Sequence, residues 1–449
     1  MIRSKQLPVQ PEFWVHRDSI VTVKGTTFYD QLAEDLDREG FGDAVRKLCA
    51  PYYSEKTVGK PPVDPEVYFK MLMVGFFDRI GSERGIAARC EDSLSIRRFL
   101  RYDITETTPN HSTLSVIRAR LPEEVYTEVF ALSLKPLRRA ELITGEKIGI
   151  DSSLFEANAS LEKLVRHEDG KSYRDYIKEL AAAAGIDPED TEAVVKFDRT
   201  RKDKKISNQE WYSPNDPDAK IGPRKDGAWD MTHKVENVID LDSGALLSIE
   251  VQPADKADST DMAGHLATAV EIVEYADQLL ESESQDGDSK GALPTNANPE
   301  SGQKTVIGVG DKGYHKNEEL ALLVESGITP CIAEPAGREP SQSSKKEAEA
   351  FHANRATRHS EQGRKLLKKR SEKVERSFCH ILDHGGARRT TLCGRSNIAK
   401  RMFISGFAFN WSIYSWNVHG YGTVKQFRAG NRNGIVVVFG PIIVFWARQ

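Results

Sequence analysis

The sequence predicts an α/β protein, a mixed sheet flanked by helices and preceded by an all-α, helix-turn-helix-like region. Three observations carry this expectation. Apolar residues recur at helical spacing from about residue 30 to 143, between residues suited to capping. Two apolar, strand-like runs, 147–151 and 305–311, each close on an aspartate. A long basic stretch, about 348–382, reads as one helix after the second run.

The N-terminal part is justified by its punctuation. Asp64-Pro65-Glu66 starts a helix: a capping carboxylate, a proline where the missing N–H costs nothing, then an acid near the positive end of the helix. Val67, Met71, Val74 and Phe77 follow at helical spacing. Ser82 caps the next helix, and Asp92 or Ser93 the one carrying Ile96, Phe99 and Leu100. The stretch 108–113 breaks the pattern, and Leu114, Ile117 and Leu121 resume it. Arg97, Arg98, Arg101, Arg118 and Arg120 on short helices suit DNA contact; a plain bundle with a solvated basic face would carry the same pattern.

The pattern changes near Gly145. After the first strand comes a polar insertion, about 156–229, with a small helix at 173–184. Runs 233–241 and 245–251, split by Asp242-Ser243-Gly244, form a hairpin. An amphipathic helix covers 261–280, with Leu266, Ala269, Ile272, Ala276 and Leu279 on one face. Residues 281–304 read as a flexible loop. Beyond the second aspartate come a helix at 317–325 and a short strand at 329–333. The resulting domain scheme is 1–143 helical and DNA-binding, 144–414 catalytic, and 415–449 a C-terminal tail of uncertain role.

Composition sets bounds. With 449 residues, 39% hydrophobic and 29% charged, the chain is large enough for more than one packed unit and is neither disordered nor membrane-spanning in type. The net charge of −4 hides segregation: nine Lys or Arg stand against three Glu between Arg355 and Arg376. Phosphate affinity follows such clusters rather than the total. Five scattered cysteines without a C-x-x-C pair point to reduced thiols and against a zinc knuckle or disulfide framework. The apolar run 435–446 is too short to span a bilayer and is interrupted by Gly440-Pro441, so it reads as a buried segment or docking tail. A cytoplasmic protein is expected from the reduced thiols.

Two strands each ending on Asp, followed by a helix bearing Glu, is the order of parts in an RNase H-like domain. Neighbouring strands bring residues at their ends into one crevice, so Asp151 and Asp311 can meet. Three acids suit Mg²⁺, a hard ion that prefers carboxylate and water oxygens. Two such ions, about 3.5–4 Å apart, stabilise the attacking and leaving oxygens of a phosphodiester. Each aspartate taken alone could equally cap the next turn.

Several motifs, in order, resemble those of bacterial insertion-sequence DDE transposases. They are Gly149-Ile150-Asp151-Ser152-Ser153-Leu154-Phe155-Glu156-Ala157-Asn158-Ala159, then Gly310-Asp311-Lys312-Gly313-Tyr314-His315-Lys316, then Arg370-Ser371-Glu372-Lys373-Val374-Glu375-Arg376-Ser377-Phe378. Asp216-Pro217-Asp218-Ala219, His233-Lys234-Val235-Glu236 and the upstream Pro109-Asn110-His111-Ser112-Thr113-Leu114 also look like family landmarks.

The resemblance implies that Asp151, Asp311 and Glu375 hold two Mg²⁺ or Mn²⁺ ions and catalyse strand cleavage and strand transfer. Terminal inverted repeats and target duplex would be the partners, with a homodimer on DNA and no membrane. Lys312, Tyr314, Arg370, Lys373, Arg376, Arg388 and Arg389 are the expected DNA contacts. Relatives carry Tyr-x₂-Arg-x₃-Glu-x₆-Lys around the glutamate, whereas Ser371 and Leu382 stand at the Arg and Lys positions here. Glu372, one turn away, competes with Glu375 as the third acid. A decayed transposase acting as a DNA-binding regulator, and an RNase H-like nuclease of another function, are the alternatives. Trp211, Trp229, Trp411 and Trp416 are candidates for stacking on an extruded base or for core packing.

Overall fold

The computed structural model describes residues 27–53, 62–202, 206–224, 226–286 and 305–430, with two short strands at 438–439 and 442–443. Eight helices come first: α1 Phe28–Arg38, α2 Phe41–Cys49, α3 Pro65–Phe77, α4 Glu83–Asp92, α5 Leu94–Phe99, α6 His111–Arg120, α7 Glu123–Leu132 and α8 Leu134–Arg139. Their starts follow local chemistry. Asp64 accepts the Glu66 N–H at 2.9 Å and Ser82 that of Gly85 at 3.2 Å. Ser93, rather than Asp92, caps α5. The expected break at 108–113 is shorter than the sequence suggests, because the Asn110 side chain accepts from Thr113 N at 2.9 Å and α6 already begins at His111.

The sheet follows. Strand β1 covers Lys147–Glu156, and the insertion after it holds β2 Val165–Arg166, α9 Tyr173–Ala183, α10 Thr191–Thr200 and β3 Trp211–Tyr212. Next come β4 Lys220–Pro223, β5 Trp229–Asp240, β6 Leu246–Pro253, α11 Met262–Asp286, β7 Val306–Gly310, α12 Asn317–Glu325 and β8 Ile328–Ile332. The chain then forms α13 Lys345–His359, α14 Glu361–Phe378, α15 Arg395–His419 and α16 Val424–Gly430, and β9 Val438–Phe439 pairs with β10 Ile442–Ile443.

The main sheet runs β4-β5-β1-β7-β8, with β6 also paired to β5. β5 is antiparallel to β1, β4 and β6; β7 is parallel to β1, and β8 to β7. The protein is therefore mixed α/β. The expected hairpin is β5–β6, where Gly244 takes φ +81° and the Asp240 carboxylate accepts the N–H groups of Asp242 and Ser243. α14 covers one face, tied by Asn237 Nδ2 to Ser377 Oγ at 2.9 Å. α11 covers the other, with Leu266 against Gly308.

Four features depart from the local reading. β1 does not end at Asp151: its parallel ladder with β7 stops at Gly149, but antiparallel pairing with β5 continues to Glu156. The single basic helix is two. Ser360 takes extended ψ 157°, caps α14 through Gly363 N at 2.9 Å and turns the chain. α11 continues to Asp286, so the loop expected from residue 281 starts later, and 287–304 lie outside the described residues.

The expected tail begins inside α15, which is buried along most of its length. Asn410 of α15 clasps Leu246 of β6, accepting from its N–H and donating to its carbonyl, both at 2.9 Å. One hydrophobic cluster runs from Phe28 in α1 through the sheet to Tyr414 in α15. Of the apolar run 435–446 only the β9–β10 residues are described, and no helix among the described residues is long and apolar enough to cross a membrane.

Candidate active site

Asp151 lies on β1, two residues past its parallel ladder with β7, and Asp311 immediately follows β7. Side chains alternate across a strand, so Gly149, Asp151 and Val309 face α14, and the same alternation carried past β7 brings Asp311 to that side. Asp151 is 29% exposed. Its Oδ1 accepts the Ser152 N–H at 2.9 Å, and its Oδ2 pairs with Arg370 Nη2 at 2.7 Å. Asp311 opens a tight turn and accepts the Gly313 N–H at 2.8 Å. Burial above all, with the charges of Asp311 and Asp258, raises the Asp151 carboxyl to about 6 against the downward pull of Arg370 and the Ser152 N–H. The charge of Asp311 is thus felt at Asp151.

Arg370 reaches this position because nothing stands in its way. A Cβ at Gly149 would lie 3.2 Å from Arg370 Cγ, so glycine there lets the stem lie flat on β1. Its Nε donates to the Ile150 carbonyl at 2.9 Å, and the residue is 6% exposed. Arg370 is therefore turned toward Asp151 and away from solvent. Tyr314 is likewise fully buried. Lys312, Arg376 and Arg389 are exposed, and Lys373 and Arg388 are half-buried.

Glu375 is exposed on α14 and shares an open cleft of about 530 Å³ with Asp151, Ser371, Arg224 and Arg388. Ser371, Glu375 and Phe378 recur at helical spacing along this wall. Glu372 does not line the cleft; it lies 3.9 Å from Arg376. Arg388 donates to the Leu154 carbonyl at 3.2 Å and pairs with Asp383 at 2.7 Å. Asp311 lies beyond Asp151, outside the cleft wall.

The donors, all carboxylates, suit a hard divalent cation. A cation beside Asp151 would offset the burial of its carboxylate, the main cause of its raised pKa, and the smaller effect of the Asp311 charge. Among the described residues no three His, Cys, Asp or Glu side chains are gathered closely enough to hold an ion.

Two motifs singled out in the sequence serve as framework. Asp216 Oδ2 lies 2.8 Å from His233 Nε2, and both side chains are buried. Asp216 also accepts the Gly394 N–H at 3.1 Å, and Asp218 that of Arg395 at 2.8 Å, so this pair of acids satisfies the start of α15 and favours its dipole. Trp211 and Trp411 are core residues, whereas Trp416 is exposed and Trp229 is 64% exposed. Trp229 pairs in the β4–β5 hairpin with Pro223, which lines the cleft.

Sequence reading missed Asp258, in the turn before α11, whose carboxylate accepts from Ser152 Oγ at 2.8 Å. No periodicity or spacing points to a turn residue of this kind.

Residues 17–120 match the family model described as Transposase domain (DUF772). The match covers the N-terminal helical part through α6 and supports a transposase function. No curated protein matches the chain, and no solved structure does.

Proposed function

We propose that the chain is a DDE transposase with an RNase H-like catalytic domain, which binds the terminal inverted repeats of its element and cuts and joins DNA. The observation that supports this reading is the placement of Asp151 on β1 and of Asp311 just past β7, its parallel neighbour, with Glu375 on the wall of the cleft that Asp151 lines. The transposase-domain match upstream supports it independently. Glu375 is the better third acid, because it faces the cleft and Glu372 does not.

Two Mg²⁺ or Mn²⁺ ions bound by these acids would supply charge stabilisation to the attacking and leaving oxygens of the phosphodiester. The chain's own contribution is positional. Arg370 and the Ser152 N–H each fix one oxygen of Asp151. Lys312, Lys373, Arg376, Arg388 and Arg389 are accessible enough to take phosphates and orient the duplex across the cleft, while Arg370 and Tyr314 act from inside the protein. Pairing two element ends makes a homodimer on DNA the working assembly.

The test is cleavage of element-end DNA by the purified chain in Mg²⁺ or Mn²⁺. Asp151→Asn and Asp311→Asn abolish nicking and leave end binding intact. Nicking retained by either variant would remove the site assignment. A wild-type protein that binds the ends but cuts nothing would instead be a DNA-binding regulator.

A further inference from the structure

A groove of about 740 Å³ opens between the end of α3, the helical turn Cys379–His384 and α16. Gly385 and Gly386 let that turn pass close against α3. A Cβ at Gly385 would lie 2.9 Å from the Phe76 ring, and one at Gly386 would lie 3.2 Å from the Arg79 carbonyl oxygen. α16 forms the remaining wall. Phe427 holds it, packing edge-on to Tyr421 with ring centres 4.8 Å apart, and Lys425 and Arg428 are left exposed at helical spacing. Cys379 and Asp383 line the cleft beside Asp151, whereas His380 and His384 line the groove, so one turn divides the two hollows.

The groove is positive. Arg79, His380, His384, Lys425 and Arg428 line it, and Asp78 is the one acid among its described lining residues. Asp78 is already committed, accepting from Arg89 Nε at 2.6 Å and from Tyr29 Oη at 2.7 Å. Arg79, Lys425 and Arg428 are exposed, and their side chains have no ion-pair or hydrogen-bond partner among the described residues. Arg79 takes φ +61° just past the end of α3, where glycine is the usual residue. Burial lowers the His380 pKa, and the positive charges of His384, Arg376 and Arg79 lower it further. Arg376 is therefore within electrostatic reach, and the groove continues the basic surface of α14.

The character of these charges selects the occupant. An exposed cation gains little from a single small anion in water. A duplex repeats its phosphates, and each one neutralised releases counterions, so scattered exposed cations add up against it.

We propose that this groove is a second DNA-binding surface, separate from the catalytic cleft, which takes the phosphate backbone of a duplex on Arg79, Lys425 and Arg428. The inference rests on the transposase reading for its choice of DNA. It gives a role to the segment beyond residue 415, since α16 supplies two of the three cations.

Binding of the full chain to a fluorescent duplex of arbitrary sequence, in EDTA so that nothing is cut, tests this, with folding followed by circular dichroism. Arg79→Gly, which suits the left-handed backbone, combined with Lys425→Gln and Arg428→Gln weakens binding about tenfold or more at about 0.1 M salt. The slope of log affinity against log salt falls by about three, one for each lost phosphate contact. Lys316→Gln, Lys345→Gln and Lys346→Gln together, at exposed lysines by the starts of α12 and α13, remove the same charge and leave the slope unchanged. An unchanged slope in the groove variant, with Lys373→Glu and Arg376→Glu still weakening binding, overturns the inference and leaves the transposase reading standing. A wild-type chain that binds no duplex removes the DNA reading itself. Inorganic phosphate that displaces duplex from the wild type but not from the groove variant, at constant ionic strength, would make this a small-anion site and overturn the choice of a duplex.

A measurement on the unaltered chain needs no variant to fold. Lysine acetylation, read by mass spectrometry with and without duplex, should show Lys425 protected. Lys425 acetylated equally in both, with Lys373 protected, would overturn the role of α16.

Discussion

Replacing Asp151 with Asn should make the protein more stable at neutral pH, because this carboxylate is held where its ionised form is disfavoured. Its pKa is about 6 in the folded chain, against about 3.9 for an unfolded aspartate. The folded state therefore binds the proton more tightly. The contribution of this group to stability is greatest below pH 4, falls as pH rises through 6, and is flat above. About two pKa units at about 1.4 kcal/mol each give roughly 3 kcal/mol, which partial exposure trims to about 1–3 kcal/mol.

Asn keeps an acceptor for Arg370 and removes the charge. Denaturant unfolding of both proteins at pH 4 and pH 8 reads the difference. The variant should match wild type at pH 4 and exceed it by about 1–3 kcal/mol at pH 8, with cleavage lost. A variant equal to or weaker than wild type at pH 8 would refute the argument. It would mean that Arg370 more than compensates burial and that Asp151 is not held at a cost.

Two further outcomes follow from other parts of the molecule. Burial disfavours the charged form of His265, but its ion pairs with Glu236 and Glu250 outweigh this and raise its pKa to about 9. Its contribution to stability is present below about pH 6.5 and lost as pH rises through 9, so His265→Gln should flatten the fall in stability over that range; equal falls in both proteins would count against the pairing. On α14, Lys373→Glu with Arg376→Glu should cut DNA affinity at least tenfold at 0.1 M salt. The slope of log affinity against log salt should drop by about two, one for each lost phosphate contact, and an unchanged slope would move the DNA surface off this helix.

How far local sequence carries depends on whether an interaction is local. Helix starts at Asp64, Ser82 and Ser93 were legible because a cap is satisfied within three residues. The hairpin at 242–244 and the strand ending at Asp311 were legible for the same reason. The break at Ser360 was not, although its cap too is satisfied within three residues, since helical periodicity resumes on both sides of it. α15 was missed because a helix buried almost all round shows no amphipathic stripe. The full length of β1 was hidden because beyond Gly149 its ladder is with β5 rather than with β7.

By itself the sequence determined that this is an α/β chain with two strand-borne aspartates and a basic helix bearing Glu375. Those are statements about segments of a few residues, whose caps, alternation and charge need no distant partner. Only the tertiary structure decided that β1 lies beside β7, that Arg370 is spent on Asp151 rather than presented to solvent, and that Asp258 reaches Ser152. Each of these joins residues more than 100 positions apart, and such contacts are chosen by burial and electrostatics summed over the whole fold, which no local pattern records.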